Sequence, residues 1–338
     1  MNFSEKKIYV TALITLVVAC LGAGLFYINI RKPDQKAQCD NPQHEMVFIK
    51  GGKFIIGDSS GYPEERVRQQ HTLADFYIDK YEVTNAQFAE FVTATGYVTL
   101  AERGLSKEAY PDLDDALLKP GSAVFSPPDK FYTLNFMNWW QFVPGANWRH
   151  PEGPTSSIET RPHYPVVHIA YADAQAYADW KGHDLPSEAE WEYAAKAGSD
   201  ARYAWGDEAY PDDIYMANTW QGRFPMLGTG EDGYHLIAPV GCFPENNNGL
   251  ADMIGNVWEW TRDSYKPERE TITHSGPDGK LRKNTTQQNM DEVYVIKGGS
   301  YLCAQNYCLR YRPAARQPQE TGLGTNHLGF RTIKRISQ

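Results

Sequence analysis

From Trp205 onward the chain reads as turns, loops and short strands rich in Gly, Asn, Asp and Trp, and no segment there holds a helical period. That stretch argues against a parallel α/β sheet, which needs helices between its strands. It calls instead for a fold in which large side chains do the packing. The composition supplies them: 21 Tyr, 14 Phe and 9 Trp, beside 28 Gly and 21 Pro for the turns. Helical patterns occur only earlier. In "YEVTNAQFAEFVTATGY", Thr84 is a helix cap with Gln87 three residues on, Phe88, Phe91 and Val92 share one face, and Gly96 is the stop. A second helix is predicted over Tyr171 to Lys181, ending at Gly182, with Ala170 where a capping hydroxyl would help. A third starts at Ser187, with Glu190 completing the box.

"MVFIKGGKFIIGD" reads as a strand, a Gly-Gly turn and a second strand, and "VFIKGG" returns near the end within "VYVIKGG". Residues from about Leu100 to Thr160 read as one long loop. Helices early and irregular β structure late indicate an α+β, loop-rich domain. The 338 residues suit one large domain or two ordinary ones. A net charge of -9 argues against nucleic acid as a partner and is read as solubility. There is no phosphate loop, no GxSxG and no HExxH.

The segment from Ile8 to Ile30 is uncharged and almost wholly apolar, and a membrane-spanning helix needs about 20 such residues. Lys6 and Lys7 precede it, and Arg31 and Lys32 follow it, so charge says little about orientation. We read 1–7 as a cytoplasmic N-terminus, 8–30 as an anchor, 31–45 as a linker and 46–335 as the folded domain. A cleaved signal segment is the alternative, with a shorter apolar run of about 7–15 residues as its norm. In either case the domain is expected outside the cytoplasm, in a periplasm-like space or secreted.

An oxidising compartment sharpens the question of the cysteines. Cys303 and Cys308 are the close pair among five. In an extended strand residues five apart lie ~17 Å apart, whereas a disulfide tolerates less than about 7 Å between Cα atoms. The backbone must therefore turn within "AQNY", where Gln305 and Asn306 can supply the bend. Three occupants remain open. A disulfide is the structural reading; zinc lacks partner ligands at matching spacing; a two-thiolate site suits Cu(I). Arg310, Arg312 and Arg316 would favour thiolate if they face the pair.

"KGGSYLCAQNYCLRYRPAAR" followed by "NHLGFR" resembles the active segment of the formylglycine-generating enzymes, the sulfatase-modifying factor family. "YEVTNAQF", "HDLPSEAEWEYAA", "ANTWQG", "GEDGY" and "NGLADMIGNVWEWTRD" agree in order, so the resemblance runs from about Met46 to Lys334. It implies a single irregular domain of the formylglycine-generating, C-type-lectin-like type. It implies an oxidase that uses O₂ and a thiol reductant to convert the cysteine of a C-x-P-x-R segment, in an unfolded sulfatase, to Cα-formylglycine. Cys303 and Cys308 would hold Cu(I). Ser300 would be a polar neighbour and Trp258 a wall of the oxygen pocket. Arg316, Glu65 and His327 would meet substrate.

The resemblance further implies two calcium ions. One would take Asn218 and Asp232 with carbonyls of Thr219 and Tyr234; the other would take Asp252 and Glu259 with carbonyls of Gly255 and Val257. Pro313 and Thr332 stand where some members carry stapling cysteines. Cys39 and Cys242 are free to pair, but the sequence does not show that they do. A monomer is expected. The alternative is a non-catalytic binding or assembly module with Cys303–Cys308 as a plain disulfide. An iron oxygenase of the same superfamily is disfavoured, because its two-histidine, one-carboxylate triad is not apparent among the nine histidines.

Overall fold

Helix capping decides the regular elements that the chain does form. In the computed structural model, which describes residues 39, 44–108, 110–128, 139–267 and 293–336, helix α1 spans Asn85–Thr95. Gln87 N–H donates to Thr84 Oγ1 at 3.3 Å, and Thr84 N–H donates to Gln87 Oε1 at 2.8 Å. Gly96 ends the helix at a positive φ of 69°. The inward face is the expected one: Phe88, Phe91 and Val92 are buried, and Phe88 packs edge-on against Trp148 with ring centroids 5.1 Å apart. Thr84→Ala is expected to cost about 1 kcal/mol by freeing the Gln87 backbone donor. Urea unfolding would read this as a lowered midpoint at unchanged slope.

A one-turn helix, α2, occupies Leu100–Arg103. Helices α3 (Tyr171–Lys181) and α4 (Glu188–Lys196) lie where predicted. Ala170 gives α3 no side-chain cap, but Asp173 Oδ2 accepts its N–H at 3.0 Å and so supplies half of a box.

The strands are short because their partners are distant in sequence. In the first sheet β1 (Met46–Ile49) pairs with β4 (Phe76–Asp79), and β13 (Ile333–Arg335) flanks β4. β2 (Lys53–Ile56) pairs instead with β3 (Gln69–Thr72). The strand–Gly-Gly–strand unit is therefore not a hairpin: Lys50–Gly51–Gly52 hands the chain from one sheet to another. The long loop after Leu100 also holds a hairpin, β5 (Gly121–Phe125) with β6 (Trp140–Pro144). Two tiny strands, β7 (Gly222–Arg223) and β8 (Leu227–Gly228), make a turn ladder. The second sheet runs β11 (Arg316–Glu320), β10 (Val293–Lys297), β9 (Trp258–Ser264), β12 (Leu328–Gly329), with α4 against β9 and β10. Its two inner strands, β9 and β10, end at the chemistry-bearing loops.

The apolar segment 8–30 and most of the linker lie outside the described residues. Among the described residues no helix is long and apolar enough to cross a membrane. Residues Gln38–Gln338 hold together as one unit, and Cys39 is disulfide-bonded to Cys242 across 203 residues of sequence. At one of the two staple positions that lack cysteine, Thr332 donates through N–H and Oγ1 to the buried Asp79 carboxylate, at 2.8 and 2.7 Å.

Candidate active site

The thiol pair is made by one turn. Ala304 O accepts from Tyr307 N at 3.1 Å and from Cys308 N at 2.9 Å, so "AQNY" coils back as its spacing required. The two sulfurs end 3.4 Å apart and unbonded, far beyond the ~2.05 Å of a disulfide. Cys303 is buried and Cys308 half-buried. The pair shares a proton unequally. The hydrogen bond from Cys303 is the main reason that Cys308 is held below the ordinary thiol value; burial opposes it, and the Arg310 N–H and the Arg310 and Arg312 guanidiniums assist it. The same bond, then burial and the Cys308 charge, push Cys303 well up. The arrangement favours Cys308 over Cys303 as the sulfur that ionises first.

Ser300 anchors the segment. Its carbonyl accepts from Cys303 N at 2.8 Å, and its Oγ lies 3.2 Å from His327 Nδ1. His327 O in turn accepts from Trp258 N at 2.8 Å. Trp258, Ser300 and His327 are thus brought together behind Cys303. Burial, then His168, pushes the His327 imidazole far below its usual value, so it is neutral at pH 7 and can exchange a hydrogen bond with Ser300. Tyr307, the residue before Cys308, joins an aromatic cluster. Tyr307 stacks on Phe224 at 4.6 Å and meets Trp139 edge-on at 5.9 Å. Sequence reasoning missed this wall. Tyr307 next to Cys308 was its one local sign.

Two expected substrate contacts are spent inside the protein. Arg316 is buried, with Nε and Nη2 on the two Glu188 oxygens at 2.9 and 3.2 Å and Nη1 on Lys266 O at 2.7 Å. It is held by Glu188, which its register partner Lys297 also approaches at 3.7 Å. Glu65 is fully buried and holds Arg312 Nη2 at 2.6 Å. Neither presents a free charge to a substrate. Of the three arginines expected to favour a thiolate, Arg310 and Arg312 act on Cys308; Arg310 also lies 4.1 Å over the Tyr62 ring and pairs with Glu64.

The acidic loops were tested for fit to cations. In the first, Gln221 Nε2 donates to both Thr219 O and Asp232 Oδ2, so two of the expected oxygen ligands point at one place. Tyr234 enters through its N–H, on Asp232 Oδ1 at 2.9 Å. Asn218 Nδ2 reaches across to Asn256 Oδ1 at 3.1 Å, and Asn256 N–H bonds Asn218 O at 2.9 Å, which ties the two loops together. Burial pushes Asp232 up to about 6. The Thr219 carbonyl and the Asp232 carboxylate are oxygens of the kind a hard cation takes, whereas Asn218 and Tyr234 make their contacts to Asn256 and Asp232 through N–H groups.

In the second loop Asp252 is also pushed up to about 6 by burial, and its Oδ2 accepts from Gly241 N. Glu259 departs from expectation. Arg331 grips it through Nε at 2.7 Å and Nη2 at 2.8 Å, and Trp191 Nε1 adds a bond at 2.8 Å. A carboxylate so engaged is an internal ion-pair partner. The carbonyl positions Gly255 and Val257 lie in a tight turn: a Cβ on Gly255 would stand 2.3 Å from Asn218 O, and its φ is 83°. Gly255→Ala is expected to lower the melting temperature, since the left-handed backbone alone costs roughly 1–2 kcal/mol and the clash adds to it. Among the described residues no group of three His, Cys, Asp or Glu could hold a metal ion, so any cation here depends on backbone oxygens too.

An irregular α+β scaffold, stapled by Cys39–Cys242, presents two further and unbonded thiols on a coiled turn beside Ser300, His327 and Trp258. Residues 31–336 match the model of the sulfatase-modifying factor enzyme 1-like domain, and the chain belongs to that family. It is 49% identical over 290 residues to a formylglycine-generating enzyme of Mycobacterium tuberculosis, covering 86% of this chain and 97% of that one. It is also 40% identical over 295 residues to an inactive C-alpha-formylglycine-generating enzyme 2 of Mus musculus, covering 85% and 84%. The solved structure of PvdO from Pseudomonas aeruginosa shares the fold, with a TM-score of 0.57 at 22% identity over 87% of this chain and 95% of that one.

Proposed function

We propose that the chain matures sulfatases by oxidising the cysteine of a C-x-P-x-R segment to Cα-formylglycine, with O₂ and a thiol reductant. The observation that carries this reading is the unbonded Cys303–Cys308 pair at 3.4 Å. A protein that used these residues as a staple would bond them. Overall identity does not separate the two readings, because an active and an inactive relative are both similar; the unbonded pair supports the oxidase reading.

Cys303 and Cys308 would hold Cu(I), and two sulfurs on one turn are the soft donor set that ion prefers. Bound Cu(I) supplies a soft centre for the substrate sulfur and for O₂ chemistry. The chain's own residues do the rest. The Cys303 hydrogen bond, assisted by Arg310 and Arg312, favours the thiolate form of Cys308. The Ser300–His327 contact fixes the turn of backbone that carries Cys303. The Trp139–Phe224–Tyr307 wall keeps one side of the thiols dry. Calcium would sit in the 218–234 loop and in the turn after Asp252, pinning backbone that has little regular structure. The Cys39–Cys242 bond supports a location outside the cytoplasm, where disulfides persist.

The test is direct. The full-length chain, loaded with Cu(I) and incubated in air with a thiol reductant, is given a peptide carrying C-x-P-x-R. Mass spectrometry then follows the peptide cysteine. An aldehyde product supports the reading. No product, with Cu(I) failing to bind and both thiols found as a disulfide, moves the assignment to a binding module.

A further inference from the structure

Segments far apart in sequence enclose a cavity of about 110 Å³ beside the loop that carries Glu152. A single water needs only ~10–15 Å³ by the same measure, so the space is sized for a small molecule. Its walls are held from behind. Glu152 N–H donates to Ser156 Oγ at 2.9 Å. Asn85 Nδ2 donates to Arg161 O at 2.9 Å, and Asn218 Nδ2 donates to Leu236 O at 2.9 Å. The cavity is therefore preformed, as small-molecule sites largely are.

Its polar groups fall into an exposed set and a buried set. At the exposed rim Arg161 Nη1 donates to Glu152 Oε1 at 2.7 Å, with the two side chains 42% and 38% exposed. Arg161 also lies 5.8 Å from the centroid of the Tyr164 ring, which lines the same space. A pair this exposed is held weakly, so either charge can turn to a ligand. In the buried part Tyr301 is 2% exposed, and its OH has no hydrogen-bond partner among the described residues. Burial, then the Glu152 carboxylate, pushes this phenol far above its usual value, so it stays a neutral hydroxyl. A buried hydroxyl without a partner is costly, and something normally answers it. Asn326 adds an amide whose Oδ1 accepts from Phe125 N at 3.1 Å, with Nδ2 as the donor that remains. Leu236 and Ile237 supply apolar wall.

We propose that this cavity binds a small zwitterion of the α-amino-acid type, its carboxylate on Arg161, its ammonium on Glu152 and the polar end of its side chain on Tyr301 and Asn326. A cation and an anion in contact at the rim select against net charge. An anion gains from Arg161 and loses to Glu152, and a cation does the reverse, whereas a zwitterion meets both. The apolar wall takes the methylenes of the side chain. Tyr301 follows Ser300 and Asn326 precedes His327, so the cavity lies on the same two backbone segments as the thiol site but uses none of its groups. The inference goes beyond the proposed oxidase activity and does not depend on it.

L-Glutamine is the first probe, because its side-chain amide can accept from Asn326 Nδ2 and donate to the Tyr301 hydroxyl. The full-length chain is titrated with it calorimetrically, and the other standard L-amino acids are screened at millimolar concentration by saturation-transfer NMR. At least one is expected to bind. Its deaminated and decarboxylated analogues are expected to bind at least about tenfold more weakly, the scale of one lost charge-assisted hydrogen bond. Arg161→Gln and Glu152→Gln, at exposed positions where folding is not at stake, should weaken binding by a similar factor. Tyr301→Phe should weaken it too without lowering the melting temperature of the ligand-free chain, since it deletes a buried hydroxyl that has no protein partner.

Three results would overturn the proposal. If no standard amino acid binds, water is the cavity's occupant. If the deaminated or decarboxylated analogue binds as well as the amino acid, the zwitterion is the wrong class. If both rim variants bind as wild type does, the ligand sits elsewhere on the chain.

Discussion

Arg331→Met is expected to leave the chain barely stable. The guanidinium is fully buried, and it closes a bidentate pair with Glu259 and three backbone carbonyls from two other segments. Methionine fills much of the volume but returns none of these bonds. Removing one partner of a buried ion pair costs about 3–5 kcal/mol, because the other charge is left uncompensated. Total stability of a domain is only about 5–15 kcal/mol, so the loss is a large fraction of it. Urea unfolding of wild type and variant at pH 7 measures it. A change under about 1 kcal/mol would show that the five-donor junction is not what joins residues 79–80, 251 and 259. The double variant Arg331→Met/Glu259→Leu should recover part of the loss, since an apolar pair leaves no orphan charge.

The second large effect falls on activity and spares the fold. Cys303→Ala and Cys308→Ala are each expected to remove peptide conversion to below detection. Each deletes one sulfur, and Cys308 is half-buried with little packing to lose. The cost in stability should stay near 1 kcal/mol for Cys303 and less for Cys308, by the scale of small core truncations. Conversion followed by mass spectrometry, beside melting curves, separates the two effects. The sulfurs should also differ in reactivity. Cys308, more exposed and held below the usual thiol value, should alkylate with iodoacetamide faster than Cys303. Equal alkylation rates would contradict the unequal sharing of the proton. Wild-type conversion by either alanine variant would end the two-thiol reading.

Much of this architecture is legible before any coordinates. Helices α1, α3 and α4 announce themselves because their start and stop devices are local: Thr84 with Gln87, Ser187 with Glu190, Gly96 and Gly182. The turn that joins Cys303 to Cys308 is legible for the same reason, since five residues leave few ways for two sulfurs to converge. The resemblance to the formylglycine-generating family rests on contiguous motifs, which survive as strings.

Pairing was not legible. β1 looks built to fold back on β2 through Gly51 and Gly52, yet each finds a different partner, β4 and β3. Nothing in four-residue strands marks one partner over another, and register is decided by which faces the whole core buries.

Charge roles failed in the same way. Arg316 and Glu65 have the right chemistry to meet a substrate, but Glu188 and Arg312 claim them across 128 and 247 residues. Only the folded chain buries Glu82 and leaves its Oε2 without a hydrogen-bond partner among the described residues. The sequence by itself determined where the helices begin and end, that the thiols sit on a turn, and which family the motifs resemble. Those properties depend on interactions within a few residues, and local chemistry settles them. Which strands pair, which charges are spent internally, and where negative charge is left unanswered were decided by the tertiary structure alone. These depend on contacts between segments up to 250 residues apart, and on the desolvation that only a completed core imposes.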